Sequence, residues 1–320
     1  MQKKPNNRLK LIHILILCVF SIFLNSGAKS QNTKHNYIHL ETFDELQQFL
    51  SYQGDNFHLI SAHRGGPENN MPENCIATFE NTANHTPSIL EVDPRYTKDS
   101  VVILLHDSSL ERTTTGRGKV SDFTFDELSR LKLKDLNGNV ADYGIPTLNE
   151  ALQWAKGKAI LLLDKKDVSI EKRLEIVEKN NAEAYTIISA YSFKDAKTCY
   201  NLNKNIMIQV FIGSPEKVLE FDNTEIPWSN IIAFVGHQQP EKKEVIDMIH
   251  KRGAICIMGT SRNLDLLISN GEVKDIESLK KDYEDLLKLG IDALETDIPV
   301  QLSKILTLTT EESTKHKYLH

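Results

Sequence analysis

The chain has 320 residues, 40% of them hydrophobic and 26% charged, with a formal net charge of −6 at pH 7. That length suits one large α/β domain better than several small ones, and the composition is that of a soluble globular protein. The acidic balance argues against a nucleic-acid binder, which needs a basic face, but leaves room for a local phosphate site.

Residues 1–30 read as a signal peptide. Lys3, Lys4, Arg8 and Lys10 give a positive start, and "ILILCVFSIFL" (14–24) is an apolar core shorter than the ~20 residues that span a bilayer. "AKS" (28–30) offers small residues for cleavage. The expected location is therefore periplasmic or secreted, with no stable membrane insertion of the mature chain; an uncleaved membrane anchor is the alternative. Cys18 would leave with the signal. Cys75, Cys199 and Cys256 remain, an odd number far apart in sequence, which argues against a disulfide framework and matches no zinc spacing.

Residues 31–56 form an N-terminal lead-in: a loop, then a helix in "TFDELQQFLSYQG" with a capping box at Thr42 and Glu45 and Gly54 as its stop. From 57 to 303, short apolar runs are mostly separated by helical segments. They are "FHLISA", "SILEVD", "VVILLHD", "AILLLDKK", "AYTIISA", "IMIQVF", "IIAFVG", "AICIMG" and "IDALETD". Several are apolar at nearly every position, as strands buried on both faces are. The helices between them include "TLNEALQWAKG", with a capping box at Thr147 and Glu150, and "DIESLKKDYEDLLKLG", ending at Gly290. About eight or nine strands with interleaved helices predict an α/β fold, a (β/α)8 TIM-type barrel, with a doubly wound open sheet as the alternative.

Two segments depart from the alternation. Only "PRYTKDS" separates the second and third runs, too short for a helical crossover. A hairpin centred near Lys98 and Asp99 is expected there, setting Glu91 opposite His106 on the face that also carries Asp93. After the third strand comes a small insertion, about 110–146, with a third capping box at Thr124 and Glu127. Residues 304–320 read as a polar tail, frayed from Thr307 onward.

The chemistry lies at the ends of the first four runs, which carry His63-Arg64, Glu91-x-Asp93, His106-Asp107 and Asp164-x-Lys166. Singly, each is an ordinary strand-end residue. In a barrel, such ends converge on one mouth. Glu91, Asp93 and Asp164 facing one mouth repel unless a cation neutralises them, and oxygen-only ligands favour Ca2+ or Mg2+ over zinc. Arg64 and Lys166 add positive charge suited to a phosphate. His63 and His106, from different runs, can divide proton transfer to and from a phosphodiester near neutral pH.

At these residues the sequence resembles the glycerophosphodiester phosphodiesterase family, in the barrel superfamily that also holds phosphatidylinositol-specific phospholipase C. The resemblance is carried by "AHRGG", "PENCIATFENT", "LEVDPRYTKDSVVILLHDSSLERTTTGRGKV", "IPTLNEAL", "LLLDKKD" and "GIDALETDIP", from Ile60 to about Val300. It implies His63 and His106 as the catalytic pair, Glu91, Asp93 and Asp164 as metal ligands, Arg64 and Lys166 on the phosphate, and Glu73 as a structural or positioning acid. Three departures bear on the pocket. Asp164 stands where the family usually has glutamate. "IMGTSRNLD" replaces a late motif with tryptophan and asparagine. Glu295 stands where an apolar residue commonly precedes Thr-Asp, and is either a spacer or a pocket acid.

The expected function is an exported, metal-dependent hydrolysis of small-molecule glycerophosphodiesters to sn-glycerol 3-phosphate and an alcohol, by two-histidine acid/base catalysis. The nucleophile is water or the substrate's own glycerol hydroxyl. A phospholipase-type or inositol-phosphate phosphodiesterase on the same barrel is one alternative. A non-catalytic barrel that binds a phosphorylated ligand is another.

Overall fold

Eight of the nine apolar runs close into a parallel barrel. In the computed structural model the strands are β1 (Leu59–Ala62), β2 (Ser88–Val92), β3 (Pro94–Tyr96), β4 (Val102–Leu104), β5 (Ile160–Leu163), β6 (Thr186–Ala190), β7 (Met207–Phe211), β8 (Ile231–Gly236), β9 (Cys256–Gly259) and β10 (Ala293–Thr296). The barrel order is β1-β10-β9-β8-β7-β6-β5-β2, every pair parallel. This is the expected (β/α)8 barrel. The structure describes residue 1 and residues 36–240, 243–308 and 313–320. The signal-peptide expectation falls on residues outside these.

The strands form because each is apolar on both faces. One face packs outward against helices: Ile60, Leu90, Leu161, Ile188, Ile208, Ala233, Cys256 and Leu294 share one core with Leu152, Leu174, Phe221 and Leu302. The alternate residues Ile89, Leu162, Ile187, Met207, Ile232 and Ile257 point inward and meet Leu46 and Phe49. Those two come from the lead-in helix Phe43–Phe49, which plugs the barrel's N-terminal end. Phe49 is fully buried there, so Phe49→Ala should cost about 3–5 kcal/mol.

All three expected capping boxes form, at Thr42/Glu45, Thr124/Glu127 and Thr147/Glu150. Gly290 ends its helix in a left-handed cap, φ 111°. Gly54 does not end the first helix, which stops at Phe49. The backbone beyond is drawn onto the turn before β9: Ser51 bridges Ala254, and Tyr52 N donates to Gly253 O at 2.9 Å.

The run "VVILLHD" is not a barrel strand. Its β4 pairs antiparallel with β3 as a hairpin outside the barrel, with Pro94 opposite Leu104 and Tyr96 opposite Val102. The expected register, Glu91 opposite His106, is one residue out, and Glu91 lies instead in barrel strand β2, opposite Leu162. A one-residue slip reverses which face each side chain takes. Barrel pairing wins at Glu91 because β2 is held on both sides, by β1 and β5. The insertion after β4 packs Leu110, Val120, Leu128, Leu133 and Ile145 on Ile103 and Leu105, a small core of its own.

The expected frayed tail is also corrected. Residues 313–320 dock beside the lead-in: Ile38 bridges Leu319, His39 N donates to Tyr318 O at 2.8 Å, and Tyr318 is buried. Lys315 is 3% exposed, its Nζ donating to Ser51 O at 2.9 Å, and Leu306 and Leu308 are buried as well. The segment reads as polar because its lysines count as charges, yet their stems are apolar. Among the described residues no helix is long and apolar enough to cross a membrane.

Candidate active site

The turn "HRGG" follows β1 directly. Arg64, Gly65 and Gly66 all take left-handed backbone, φ 53°, 83° and 82°. A Cβ on Gly65 would lie 2.3 Å from the Phe79 ring, and one on Gly66 would lie 2.2 Å from Pro299. Both glycines are therefore required twice, by φ and by space. Arg64 carries the strain a non-glycine residue pays there, about 1–3 kcal/mol. In return its backbone N–H donates to Glu91 Oε2 at 2.8 Å.

The three expected metal ligands come together. Oxygens of Glu91, Asp93 and Asp164 lie within 4.8 Å of one another, all three residues buried. Burial first, then Asp93, raises the Glu91 pKa well above the ordinary carboxylate range. Asn74 brackets Asp93: Asn74 Nδ2 donates to Asp93 Oδ2 at 2.6 Å, and Asp93 N donates to Asn74 Oδ1 at 2.9 Å. Tyr191 donates its hydroxyl to Asp164 Oδ1 at 2.6 Å. Behind Asp164 sits Arg173, fully buried, whose Nη1 donates to Leu163 O and Ser189 O at 2.9 and 3.2 Å. It fixes the ends of β5 and β6 from below.

The two expected phosphate cations are both ion-paired. Lys166 hydrogen-bonds Asp164, and its Nζ lies 2.8 Å from Asp93 Oδ1, close enough for an ion pair but not aligned as a hydrogen bond. Burial works against its charge, but Asp93 and Asp164 outweigh this and the Lys166 pKa is raised. Arg64 Nη1 donates to Glu73 Oε2 at 3.0 Å. Glu73 is 3% exposed and also accepts two hydrogen bonds from Arg112, both at 2.8 Å. It holds one arginine of the barrel turn and one of the insertion. Burial opposes its charge, but Arg112 and Arg64 hold its pKa low.

Each histidine has a carboxylate behind it. His63 Nδ1 donates to Asp297 Oδ1 at 2.6 Å. Burial disfavours the charged ring, yet this bond and the nearby Glu91 prevail, and the His63 pKa rises to about 9. His106 Nδ1 lies 2.8 Å from Asp107 Oδ1. Asp107 also takes two hydrogen bonds from Arg112, at 2.7 and 2.8 Å, so its charge is already matched. From β3, Arg95 donates to His106 O at 2.6 Å and to Asp167 at 2.8 Å, anchoring the hairpin's return to the loop after β5.

A cavity of about 330 Å3 opens on His63, Arg64, Glu91, His106, Asp164 and Lys166. Its far wall comes from the later strands: the ring series Tyr191, Phe211 and Phe234, centroids 4.8 and 4.9 Å apart, with Gln209, His237, Arg262 and Glu295. Glu295 is thus a pocket acid and no spacer. Burial, with Asp164 and Asp297, pushes its pKa up to about 7 against the pull of His63. Sequence reasoning passed over Asn74, Arg112, Tyr191, His237 and Asp297 as members of this site, and named Asp107 only as the neighbour of His106. Asn74 and Asp297 each stand within two residues of one it discussed, Glu73 and Glu295.

The chain matches known proteins over this same region. The model of the glycerophosphoryl diester phosphodiesterase family matches residues 63–301. The crystal structure of a glycerophosphoryl diester phosphodiesterase from Parabacteroides distasonis is 41% identical, covering 89% of this chain and 99% of that one, with a TM-score of 0.84. A glycerophosphodiester phosphodiesterase of Caldanaerobacter subterraneus subsp. tengcongensis is 27% identical over 78% of this chain and 97% of its own length. An Oleispira antarctica phosphodiesterase solved in complex with the product sn-glycerol-3-phosphate shares the fold at 18% identity and a TM-score of 0.58, covering 78% of this chain and 96% of that one. With a family match running from His63 to beyond the last barrel strand, the chain belongs to the glycerophosphoryl diester phosphodiesterase family and is a phosphoric diester hydrolase.

Proposed function

We propose that this chain is an exported, divalent-metal-dependent phosphodiesterase that releases sn-glycerol 3-phosphate and an alcohol from glycerophosphodiesters, with His63 and His106 dividing the proton transfers. One observation carries the reading: two carboxylates of the acid cluster, Glu91 and Asp164, and two carboxylate-backed histidines open on one cavity, with Asp93 buried behind them. The product bound by the Oleispira antarctica enzyme supports the same product here.

The residues present fit a hard divalent cation. The donors are all oxygens, they lie within 4.8 Å of one another as ligands of one ion do, and the buried Asp93 Oδ1 meets only the Lys166 ammonium. Glu91, Asp93 and Asp164 would hold Ca2+ or Mg2+, which when bound draws charge from the phosphate oxygens.

The chain's own groups do the rest. With its pKa near 9 through Asp297, His63 carries a proton at neutral pH and gives it to the departing alkoxide as the phosphorus–oxygen bond to the alcohol breaks. His106 takes the proton of the attacking water as the new phosphorus–oxygen bond forms. Arg64 and Lys166 set positive charge beside the phosphate, and Glu73 holds Arg64 in place. The basic start and short apolar core of residues 1–30 support export.

The test is release of glycerol 3-phosphate from glycerophosphocholine and glycerophosphoethanolamine, with Ca2+, with Mg2+ and with chelator. Metal-dependent release that falls by at least about 10^3-fold in His63→Ala is expected. Undiminished release in chelator, or in His63→Ala, would overturn the proposal. Export is tested by sequencing the N-terminus of the mature protein, expected just after Ser30.

A further inference from the structure

Arg112 stands near the start of the insertion and makes four hydrogen bonds, two to each of two carboxylates. Nε donates to Asp107 Oδ2 at 2.7 Å, and Nη2 to Asp107 Oδ1 at 2.8 Å. Nη1 donates to Glu73 Oε2 and Nη2 to Glu73 Oε1, both at 2.8 Å. The same oxygens serve the mouth. Asp107 Oδ1 lies 2.8 Å from His106 Nδ1, and Glu73 Oε2 accepts from Arg64 Nη1 at 3.0 Å. One unbroken series of contacts therefore runs from His106 through Asp107, Arg112 and Glu73 to Arg64, and both its ends line the first cavity. A planar fork of fixed donors lets one side chain serve both carboxylates.

Charge separates the two histidines. In this series two carboxylates meet two guanidiniums, so it is balanced with the His106 ring neutral. Behind His63, Asp297 has no cationic partner but that ring among the described residues, so that pair is balanced with the ring protonated. The Arg112 hydrogen bonds, working against burial, hold the Asp107 pKa well below the ordinary carboxylate range. An ionised Asp107 only accepts, so His106 Nδ1 carries the donated proton and Nε2 is left as the acceptor.

We infer that Arg112 is a positioning residue of the reaction: by matching the Asp107 charge and bridging to Glu73, it keeps His106 in its proton-accepting form and sets it against Arg64. The inference rests on the phosphodiesterase reading above and names what makes one of the two histidines the base. The charged groups round His106 are Asp107 beside it, Arg112 from the insertion, and Arg95 from β3, which donates to its carbonyl with Asp167 beyond. Across the shared cavity stand the cations Arg64, Lys166 and Arg262, the acids Glu91, Asp164, Glu295 and Asp297, the Tyr191 phenol, and the rings of His63 and His237. Replacing Arg112 alters none of these. It unmasks Asp107, whereas Glu73 keeps Arg64. An unmasked carboxylate beside an imidazole favours the protonated ring, and a protonated ring cannot take the proton of the attacking water.

The experiment is the pH profile of kcat/KM at saturating Ca2+ or Mg2+, on whichever of glycerophosphocholine and glycerophosphoethanolamine turns over faster. Wild type is compared with Arg112→Met, Arg112→Lys and the double variant Arg112→Met with Asp107→Asn. The acidic limb of the profile reports the base of the free enzyme. In Arg112→Met it should move up by about one pH unit, and adding Asp107→Asn should bring it back down. Arg112→Lys keeps the charge and loses the fork, so its limb should stay within about 0.3 unit while its plateau falls about tenfold. A limb unmoved in Arg112→Met overturns the inference and leaves Arg112 a prop of the insertion. Arg112→Gln carries the same test if Arg112→Met does not fold. Histidine NMR titration of the metal-loaded protein follows the His106 ring without turnover, its signals identified by their loss in His106→Gln. Absence of activity on every ester therefore counts against the phosphodiesterase reading, whereas a His106 ring that titrates alike in wild type and Arg112→Met counts against this one.

Discussion

At the N-terminal end of the barrel, His250, Cys256 and Asp292 bring possible ligand atoms within 4.8 Å of one another, as Glu91, Asp93 and Asp164 do at the other end. The two clusters differ in what surrounds them. Asp292 Oδ2 accepts from His250 Nε2 at 2.8 Å and from Cys256 N at 2.7 Å, and the Tyr52 ring stacks on His250 at 3.5 Å. The histidine and the carboxylate there have found each other within the chain. At the C-terminal end Gln209 Oε1 has no hydrogen bond, Asp93 Oδ1 meets only the Lys166 ammonium, the Glu91 pKa is driven up by burial and by Asp93, and a cavity leads in. Clustered ligand types therefore do not distinguish a structural tie from a reactive centre; unmet valence beside an open space does.

The comparison is broken most directly by removing one acid from each end. Asp93→Ala should cut kcat/KM by at least about 10^3-fold while the protein stays folded. Asp292→Ala should leave kcat/KM within about threefold but lower stability by about 2–4 kcal/mol, because two buried donors lose their acceptor. Activity and denaturant melts on the two variants check this, and equal activity losses at both ends would erase the distinction.

A milder probe reaches the same acid through its bracket. Asn74→Ala removes both hydrogen bonds that orient Asp93, and metal affinity measured by calorimetry should fall by about 10–100-fold. The pH dependence sharpens the contrast further. Folded His63 titrates at about 9 against an ordinary 6.5, so its pair with Asp297 adds stability that is complete below pH 6.5 and is lost as pH rises through 9. Urea melts of chelator-treated protein should lose about 1–2 kcal/mol across that window, after allowing for partial exposure of the pair, and Asp297→Asn should flatten the loss. The smallest effect is expected at the closed end: deleting residues 313–320 should lower Tm by about 3–5 °C with kcat/KM unchanged.

The barrel was legible in the sequence because strands buried on both faces are apolar throughout, and capping boxes mark the helix starts. Glu91, Asp93 and Asp164 were legible because each ends an apolar run. The hairpin register was not, since a seven-residue connection fits several pairings and the barrel neighbours of β2 decide among them. Arg112 was hidden because it lies 39 residues from Glu73, its partner across the mouth. The polar wall was hidden for a different reason. A glutamine such as Gln209 inside an apolar run announces burial, but whether it has a partner depends on strands far away in sequence. The docked tail was missed because averaging over residues hides the alternation that buries Lys315 and Tyr318.

The order in which the chain lays down the mouth has a consequence for descent. Both histidines, the acid cluster, Arg64, Glu73 and Lys166 fall between His63 and Lys166, whereas the opposing wall falls between Tyr191 and Glu295. On the proposed reading, the reacting groups and the groups of the opposing wall thus lie in successive halves of one closed ring, joined at its end by Asp297 behind His63. A lineage built this way could alter the second half while the first is copied forward intact.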